Sequence, residues 1–206
     1  MPFIVPIVEG HGEVAAVPVL LRRIAEDVGG WVEVNPPIRV SSGMFLNKNE
    51  EQRRHIGLAA NKAKVRDGHV LILLDCDQDV GGKRSACPAV LGPRLLRQVT
   101  DLRPDVPMFV ALAYKEYESW FLAALPSLRG AYGIPSDAEP PHDPEARRDA
   151  KGALSHLIGR RYGHDDQLQA RFTSIMSLVE ARGAPSFARL YDWVAWLVKA
   201  EQPPDC

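Results

Sequence analysis

Five apolar residues in a row, Val70-Leu71-Ile72-Leu73-Leu74, stand between the polar Arg66-Asp67-Gly68-His69 and an abrupt acidic run, Asp75-Cys76-Asp77-Gln78-Asp79. A strand with one wet face alternates apolar and polar residues, whereas an unbroken run of this length suits a strand covered on both faces inside a parallel sheet. That constrains the rest of the chain, because parallel neighbours must be joined by crossovers, usually helices. Residues 3–8 form a second apolar, β-branched run closed by Glu9-Gly10-His11-Gly12, and Val14, Val17, Leu20, Leu21, Ile24 and Val28 then recur at helical spacing up to Gly29-Gly30. Residues 31–40 read as another strand, whose later half Pro36-Pro37 pushes to an edge or a bend. Residues 49–66 read as a helix packing through Ile56, Ala59, Ala60 and Ala63, residues 93–102 as a further helix, and residues 107–114 as a fourth strand.

Residues 119–128 continue as a helix carrying Trp120, Phe121, Leu122 and Leu125. Residues 135–144 hold four prolines and several acids and read as a loop or lid. Three more helices are expected over 149–158, 167–181 and 186–200. The sum is an α/β fold: a mostly parallel four-stranded sheet with helices on both faces, plus a C-terminal helical appendage. We expect residues 1–130 to form the core and residues 131–206 to form a proline-rich loop and helical extension packed on it. At 206 residues, against roughly 150 per domain, one domain with an appendage fits better than two equal ones.

Charge limits the function classes. Lys+Arg 25 against Asp+Glu 26 gives a net charge of −1, so the whole chain exerts no general attraction on nucleic acid or anionic membrane. The three cysteines, Cys76, Cys87 and Cys206, have no CxxC spacing, which argues for a reducing compartment and against a structural zinc site. No basic segment precedes an apolar core at the N-terminus and no run of about 18 apolar residues occurs, so a cytoplasmic protein is expected.

In an open parallel sheet, ligands bind beyond the carboxyl ends of the strands. Acids follow three of the four expected strands: Glu9 and Glu13 after the first, Asp75, Asp77 and Asp79 after the third, Glu116 and Glu118 after the fourth. Two unit charges about 4 Å apart at an effective dielectric near 20 repel by about 4 kcal/mol, and a hard cation removes that cost. Oxygen-only ligands favour Mg²⁺ or Mn²⁺, which take remaining ligands from water and substrate phosphate. Taken singly, Glu13 is an ordinary first-turn acid complementing a helix dipole, and Asp75 and Asp77 are ordinary loop residues. Their conjunction at one sheet edge points to a metal.

Two other motifs compete. Asp75-x-Asp77-x-Asp79 resembles the start of an EF-hand loop, but Val80 and Ala86 stand where glycine and glutamate are required. Gly10-x-Gly12-x-x-Ala15 after a strand, with Glu33 further on, resembles a dinucleotide fingerprint, yet Glu9 and Glu13 would repel a pyrophosphate at that helix N-terminus.

Ile7-Val8-Glu9-Gly10-His11-Gly12-Glu13 and Leu73-Leu74-Asp75-Cys76-Asp77 resemble the glutamate and DxD motifs of Toprim domains, and the doubled glutamate is similar to the nuclease branch typified by the overcoming-lysogenization-defect proteins. Lys115-Glu116-Tyr117-Glu118-Ser119-Trp120-Phe121-Leu122 resembles the signature of an uncharacterised bacterial family, domain-of-unknown-function family 4276. The resemblance implies a four-stranded Toprim core and Mg²⁺- or Mn²⁺-dependent phosphodiester chemistry on DNA or RNA. It places metal ligands at Glu9, Glu13, Asp75 and Asp77; beyond the resemblance, Glu9, Asp75 and Asp77 are expected to hold one metal, and Glu13, Glu116 and Glu118, placed after strands, to shape a second site or position the attacking water. The resemblance also implies a lysine beyond the acidic motifs, for which Lys151 is the candidate beside the reading of an exposed helix lysine. Lys83 and Arg84 stand as phosphate contacts or as solvated loop residues. Relatives often accompany a separate ATPase, so such a partner is expected. The contrasting expectation is a Toprim-like regulatory protein that binds a nucleotide or metal without cleavage. Trp193, Trp196, Leu197 and Val198 suit the core first and a homodimer surface second.

Overall fold

The computed structural model describes residues 1–76, 87–146, 148–165 and 167–200. Five strands form one sheet: β1 (Phe3–Val8), β2 (Glu33–Val34), β3 (Ile38–Arg39), β4 (His69–Cys76) and β5 (Met108–Tyr114). The order is β2-β1-β4-β5, β3 also pairs with β1, and every pairing is parallel. The α/β class and the parallel sheet agree with the sequence reading, but the single strand expected over residues 31–40 is two. Phe3 and Ile4 pair with β2, Ile7 and Val8 with β3, and the break falls at Pro36-Pro37, which have no N–H to donate to a ladder.

Side-chain alternation divides the core in two. Ile4, Val8, Leu71, Leu73, Ala111 and Ala113 point to one side of the sheet, where α1 (His11–Asp27) lies with the C-terminal helices. Val5, Ile7, Val70, Ile72, Leu74, Val110 and Leu112 point to the other, covered by α2 (Ser42–Asn47), α3 (Asn49–Lys64) and α4 (Pro88–Leu102). The stripe Ile56, Ala59, Ala60, Ala63 is fully buried, as its spacing requires. The helix α2 is an addition to the sequence reading. Helix α4 begins at Pro88, earlier than expected, because proline is suited to the first helical turn where its missing N–H has no partner to lose.

Two long helices expected from periodicity are each broken. Residues 119–128 become α5 (Ser119–Ala123) and α6 (Leu125–Leu128), divided at Ala124 with Pro126 in the new first turn. Residues 167–181 become α8 (Leu168–Ile175) and α9 (Leu178–Ala181), and the Ser177 hydroxyl accepts from the Glu180 N–H to start α9. Helices α7 (Ala150–Leu157) and α10 (Pro185–Ala200) complete the chain described. The extension is joined to α1: the Arg23 guanidinium donates to the carbonyls of Thr173 and Met176 at 2.6 and 2.8 Å, satisfying groups that the end of α8 leaves open. Leu197 and Val198 are buried, Trp193 stacks on Phe109 with ring centroids 4.6 Å apart, and Trp196 points to solvent. Among the described residues, no helix is long and apolar enough to cross a membrane.

Candidate functional site

The acids gather where the sheet topology puts the carboxyl ends of β1, β4 and β5 side by side. Asp75 is the seventh residue of β4 and has the same parity as Leu71 and Leu73, so its side chain faces the α1 side of the sheet. One Asp75 oxygen accepts the Tyr117 backbone N–H at 2.9 Å and the other lies 3.3 Å from the Lys151 ammonium. Lys151 also lies 3.5 Å from Glu118 and 3.9 Å from Glu116, and its own backbone N–H donates to Glu116 at 3.0 Å. One cation therefore answers three carboxylates from two strand ends.

Local structure explains how the segment after β5 reaches this point. The strand ends at Tyr114, and Lys115 has φ +69°, a left-handed conformation unusual for a side chain with a Cβ. Lys115 is held there by its ammonium, which donates to the Ala146 carbonyl and lies 5.1 Å from the Tyr114 ring centroid. Strand alternation beyond Tyr114, the simplest reason to expect Glu116 and Glu118 on one side, therefore does not operate. They meet at Lys151 because the chain turns at Lys115 and Glu116-Tyr117-Glu118 form a tight turn into α5.

Helix α7 presents Lys151 in its first turn. Asp149 caps the helix, accepting the Gly152 N–H at 2.7 Å, and glycine lets the carboxylate sit close, since a Cβ there would stand 2.0 Å from it and displace the cap. On the opposite side, Glu13 closes the loop after β1 by accepting the backbone N–H groups of Glu9 and Gly10 at 2.9 and 2.8 Å. This is the glutamate half of a capping box, Gly10 having no side chain to accept in return, and it orients the backbone that carries Glu9. Glu9 in turn accepts from the Ser42 hydroxyl at the start of α2.

Burial and repulsion shift these groups. Burial pushes the Asp75 carboxyl well above its usual range, and the charges of Glu13 and Glu118 push it further while Lys151 opposes them. Burial lifts Glu118 to about 7 against the pull of Lys151. Burial raises Glu13 too, offset in part by the N–H groups of Gly10 and Glu9. For Lys151, burial alone would favour the neutral amine, but Glu118, Asp75 and Glu116 outweigh it and hold the ammonium charged beyond its ordinary range.

The structure thus brings together Glu9, Glu13, Asp75, Glu116, Glu118 and Lys151. Asp77, Asp79, Lys83 and Arg84 lie outside the described residues, as does Cys206. Four neighbours had no signal in the sequence. Ser42 and Tyr117 bond to Glu9 and Asp75 from positions remote in sequence. The buried Tyr162 hydroxyl sits close enough to Glu118 for that charge to oppose its ionisation, after burial itself. Gln169 of α8 packs so tightly on Gly12 that a Cβ there would stand 2.1 Å from its side-chain oxygen. Glu33, the acid of the dinucleotide fingerprint, pairs instead with Arg66.

The donor set is all oxygen, buried, and strained by like charge, which fits a hard divalent cation. Among the described residues no group of three acid, histidine or cysteine side chains is placed to hold a metal ion, and the Lys151 ammonium stands between the carboxylates of Asp75, Glu116 and Glu118. Cys76 is buried and Cys87 exposed, with no disulfide among the described residues.

The family described as Domain of unknown function (DUF4276) matches residues 8–195, a span that includes every acid of the site and Lys151. No curated protein and no solved structure matches the chain.

Proposed function

This chain belongs to the DUF4276 family, and we propose that it is a divalent-metal-dependent nuclease with a Toprim-like core, acting on phosphodiesters of DNA or RNA. The observation that carries this reading is the convergence of Asp75, Glu116 and Glu118 on Lys151 beside the Glu9 loop. Glu118 is 1% exposed, and burying several acids of one sign is costly, a pattern concentrated at sites that use their acids.

Glu9 and Asp75, with Asp77, would hold Mg²⁺ or Mn²⁺, and Glu116 and Glu118 would serve a second ion or the attacking water. When bound, such ions activate a water nucleophile and stabilise the leaving oxygen. The chain's own contributions are separate. Glu13 holds the Glu9 backbone in place through two N–H groups. Tyr117 holds Asp75 in one orientation. Glu118, lifted to about 7, changes protonation in the range where a carboxylate can take a proton from water. Lys151, half exposed in its side chain, is the one cation of the cluster that can turn toward a phosphate as the acids are neutralised. The near-neutral net charge is consistent with a protein that relies on metal, and on a separate ATPase partner, to capture nucleic acid. A cytoplasmic setting belongs to the same reading, on the absence of CxxC spacing among Cys76, Cys87 and Cys206.

The test is incubation of purified protein with Mg²⁺ or Mn²⁺ and mixed single- and double-stranded nucleic acids, with Glu9→Ala and Asp75→Asn as controls against contaminating nuclease. Metal-dependent cleavage lost at least 100-fold in both variants supports the reading. Metal or nucleotide binding without cleavage would instead favour a regulatory protein on the same scaffold.

A further inference from the structure

A second concavity, of about 490 Å³, lies along the free edge of β5, within the range of about 300–1,000 Å³ typical of small-ligand sites. Its walls are Ala89 and Gly92 of α4, Val110 and Leu112 of β5, Glu145, and Arg189 of α10. The apolar walls suit a flat ring, and three charged groups line the space, Asp143 and Glu145 against Arg189, with Arg189 paired to neither acid.

Glu145 is 5% exposed, and its Oε1 accepts both the Ser186 N–H, at 3.1 Å, and the Ser186 hydroxyl. Ser186 is immobilised in turn, since its oxygen accepts the Trp120 indole N–H at 2.7 Å and the Tyr114 N–H at 3.3 Å. A carboxylate has about four acceptor sites, so the second oxygen of Glu145 keeps capacity for donors. Arg189 crosses from α10 to α4: its guanidinium is 5.8 Å from the Phe109 ring centroid, and a Cβ on Gly92 would lie 4.0 Å from Nη1. Arg189 makes no ion pair among the described residues.

A phosphate does not match this lining, because Glu145 and the neighbouring Asp143 repel it, and a bare cation does not match Arg189. A free amino acid with an apolar side chain also offers both charges, so leucine and phenylalanine are rival ligands. Guanine meets every requirement: N1–H and the N2 amino group give a carboxylate two donors on one edge, and O6 with N7 accepts an arginine fork on the other. Adenine and the pyrimidines lack the paired donors. The cavity is linked to the acids along the edge strand: Tyr114 lines it two residues before Glu116, and Lys115 ties this segment to Ala146 beside Glu145.

We infer that this cavity binds a guanine base, that of the nucleotide presented to the acidic cluster. The inference rests on the reading of the cluster as a site for phosphodiesters. Isothermal titration in EDTA with the four nucleoside monophosphates, and with leucine and phenylalanine, tests it apart from cleavage. We expect guanosine monophosphate to bind at least tenfold more tightly than the other three nucleotides. Glu145→Gln and Arg189→Met should each weaken it at least tenfold, and Ala89→Trp should abolish it by filling the space, with thermal melts confirming that each variant folds. Guanine-containing oligonucleotides should compete for the same site. Equal affinity for all four nucleotides, tighter binding of leucine or phenylalanine than of guanosine monophosphate, or binding untouched by all three variants, overturns the inference. Binding of the free nucleotide without competition by oligonucleotides overturns the assignment to substrate. Metal-dependent cleavage with no base preference and no binding of guanosine monophosphate would sink the guanine site and leave the nuclease reading standing; competed guanine binding without cleavage would do the reverse.

Discussion

The two faces of the sheet are closed in different ways. The face covered by α2, α3 and α4 is built from segments that lie between the strands in sequence, and its buried residues are almost all apolar. The other face carries Asp75 and the cluster around it, and it is closed by α1, by α5 and α6 just after the last strand, and by helices that begin more than thirty residues after it. The cation that compensates Asp75 is 76 positions away in sequence. The difference teaches that the crossover face could fold as a hydrophobic layer alone, whereas the acidic face needs the C-terminal extension to supply charge as well as cover. Stability on the first face should be indifferent to pH, and on the second it should not.

The largest effect that would sharpen this contrast is on the apolar face. Leu95 of α4 is 1% exposed among Val99, Val110 and their neighbours, so Leu95→Ala should cost about 3 kcal/mol through lost burial and a residual cavity. Denaturant titrations at pH 5 and pH 8 should give the same loss. A strongly pH-dependent loss would mean that the two faces are coupled and the contrast is wrong.

On the acidic face, Lys151→Met removes the shared counter-ion of three carboxylates. We expect a loss of about 2 kcal/mol at pH 8, less than the roughly 3–5 kcal/mol for breaking a fully buried pair, because 48% of the lysine side chain is exposed. At pH 5 the loss should largely disappear, since Asp75 and Glu118, both raised by burial, take up protons and no longer need a cation. Equal losses at both pH values would show that Lys151 contributes packing and not charge.

A divalent ion should act in the same direction as Lys151. With Mg²⁺ or Mn²⁺ at ten times its Kd, the native protein should gain about 1.4 kcal/mol, seen as about 3–5 °C in Tm. Lys151→Met should gain at least as much, and Asp75→Asn much less. A wild-type Tm insensitive to millimolar metal would break the link between the acidic face and metal binding.

How much of this was legible in the sequence follows from what each feature depends on. The run Val70–Leu74 and the alanine stripe of the third helix announced themselves because burial on both faces, or along one helix stripe, leaves a periodic trace. The breaks at Ala124 and Met176 left only short local signals, Pro126 and the Ser177–Glu180 cap, which the apolar pattern running through both segments outweighed. Glu9, Glu13 and Asp75 were readable from their place after strands. Lys151 was undecided between an exposed helix residue and a site residue, because nothing local says where the first turn of α7 will dock; the Glu116 bond to its backbone settles that docking. Ser42, Tyr162 and Gln169 were invisible for the same reason.

The smallest expected effect bears on Glu118, and its sign is the most informative. Its ordinary pKa is 4.5 and in the folded protein it is about 7, with burial as the main cause. Between those values the folded state binds more protons than the unfolded chain, so this group makes stability fall as pH rises from about 4.5 to about 7 and adds no such penalty below that window. Glutamine keeps the shape and cannot ionise. Without metal, Glu118→Gln should therefore be unchanged in stability near pH 4.5 and more stable by about 1 kcal/mol at pH 8, where relief from a buried charge outweighs the lost pairing with Lys151. Metal-dependent cleavage should fall at least tenfold, about 1.4 kcal/mol, in the same variant. If Glu118→Gln is less stable at pH 8 and cleaves normally, the Lys151–Glu118 pair is a structural brace, and the functional edge contracts to Glu9, Asp75 and Glu116.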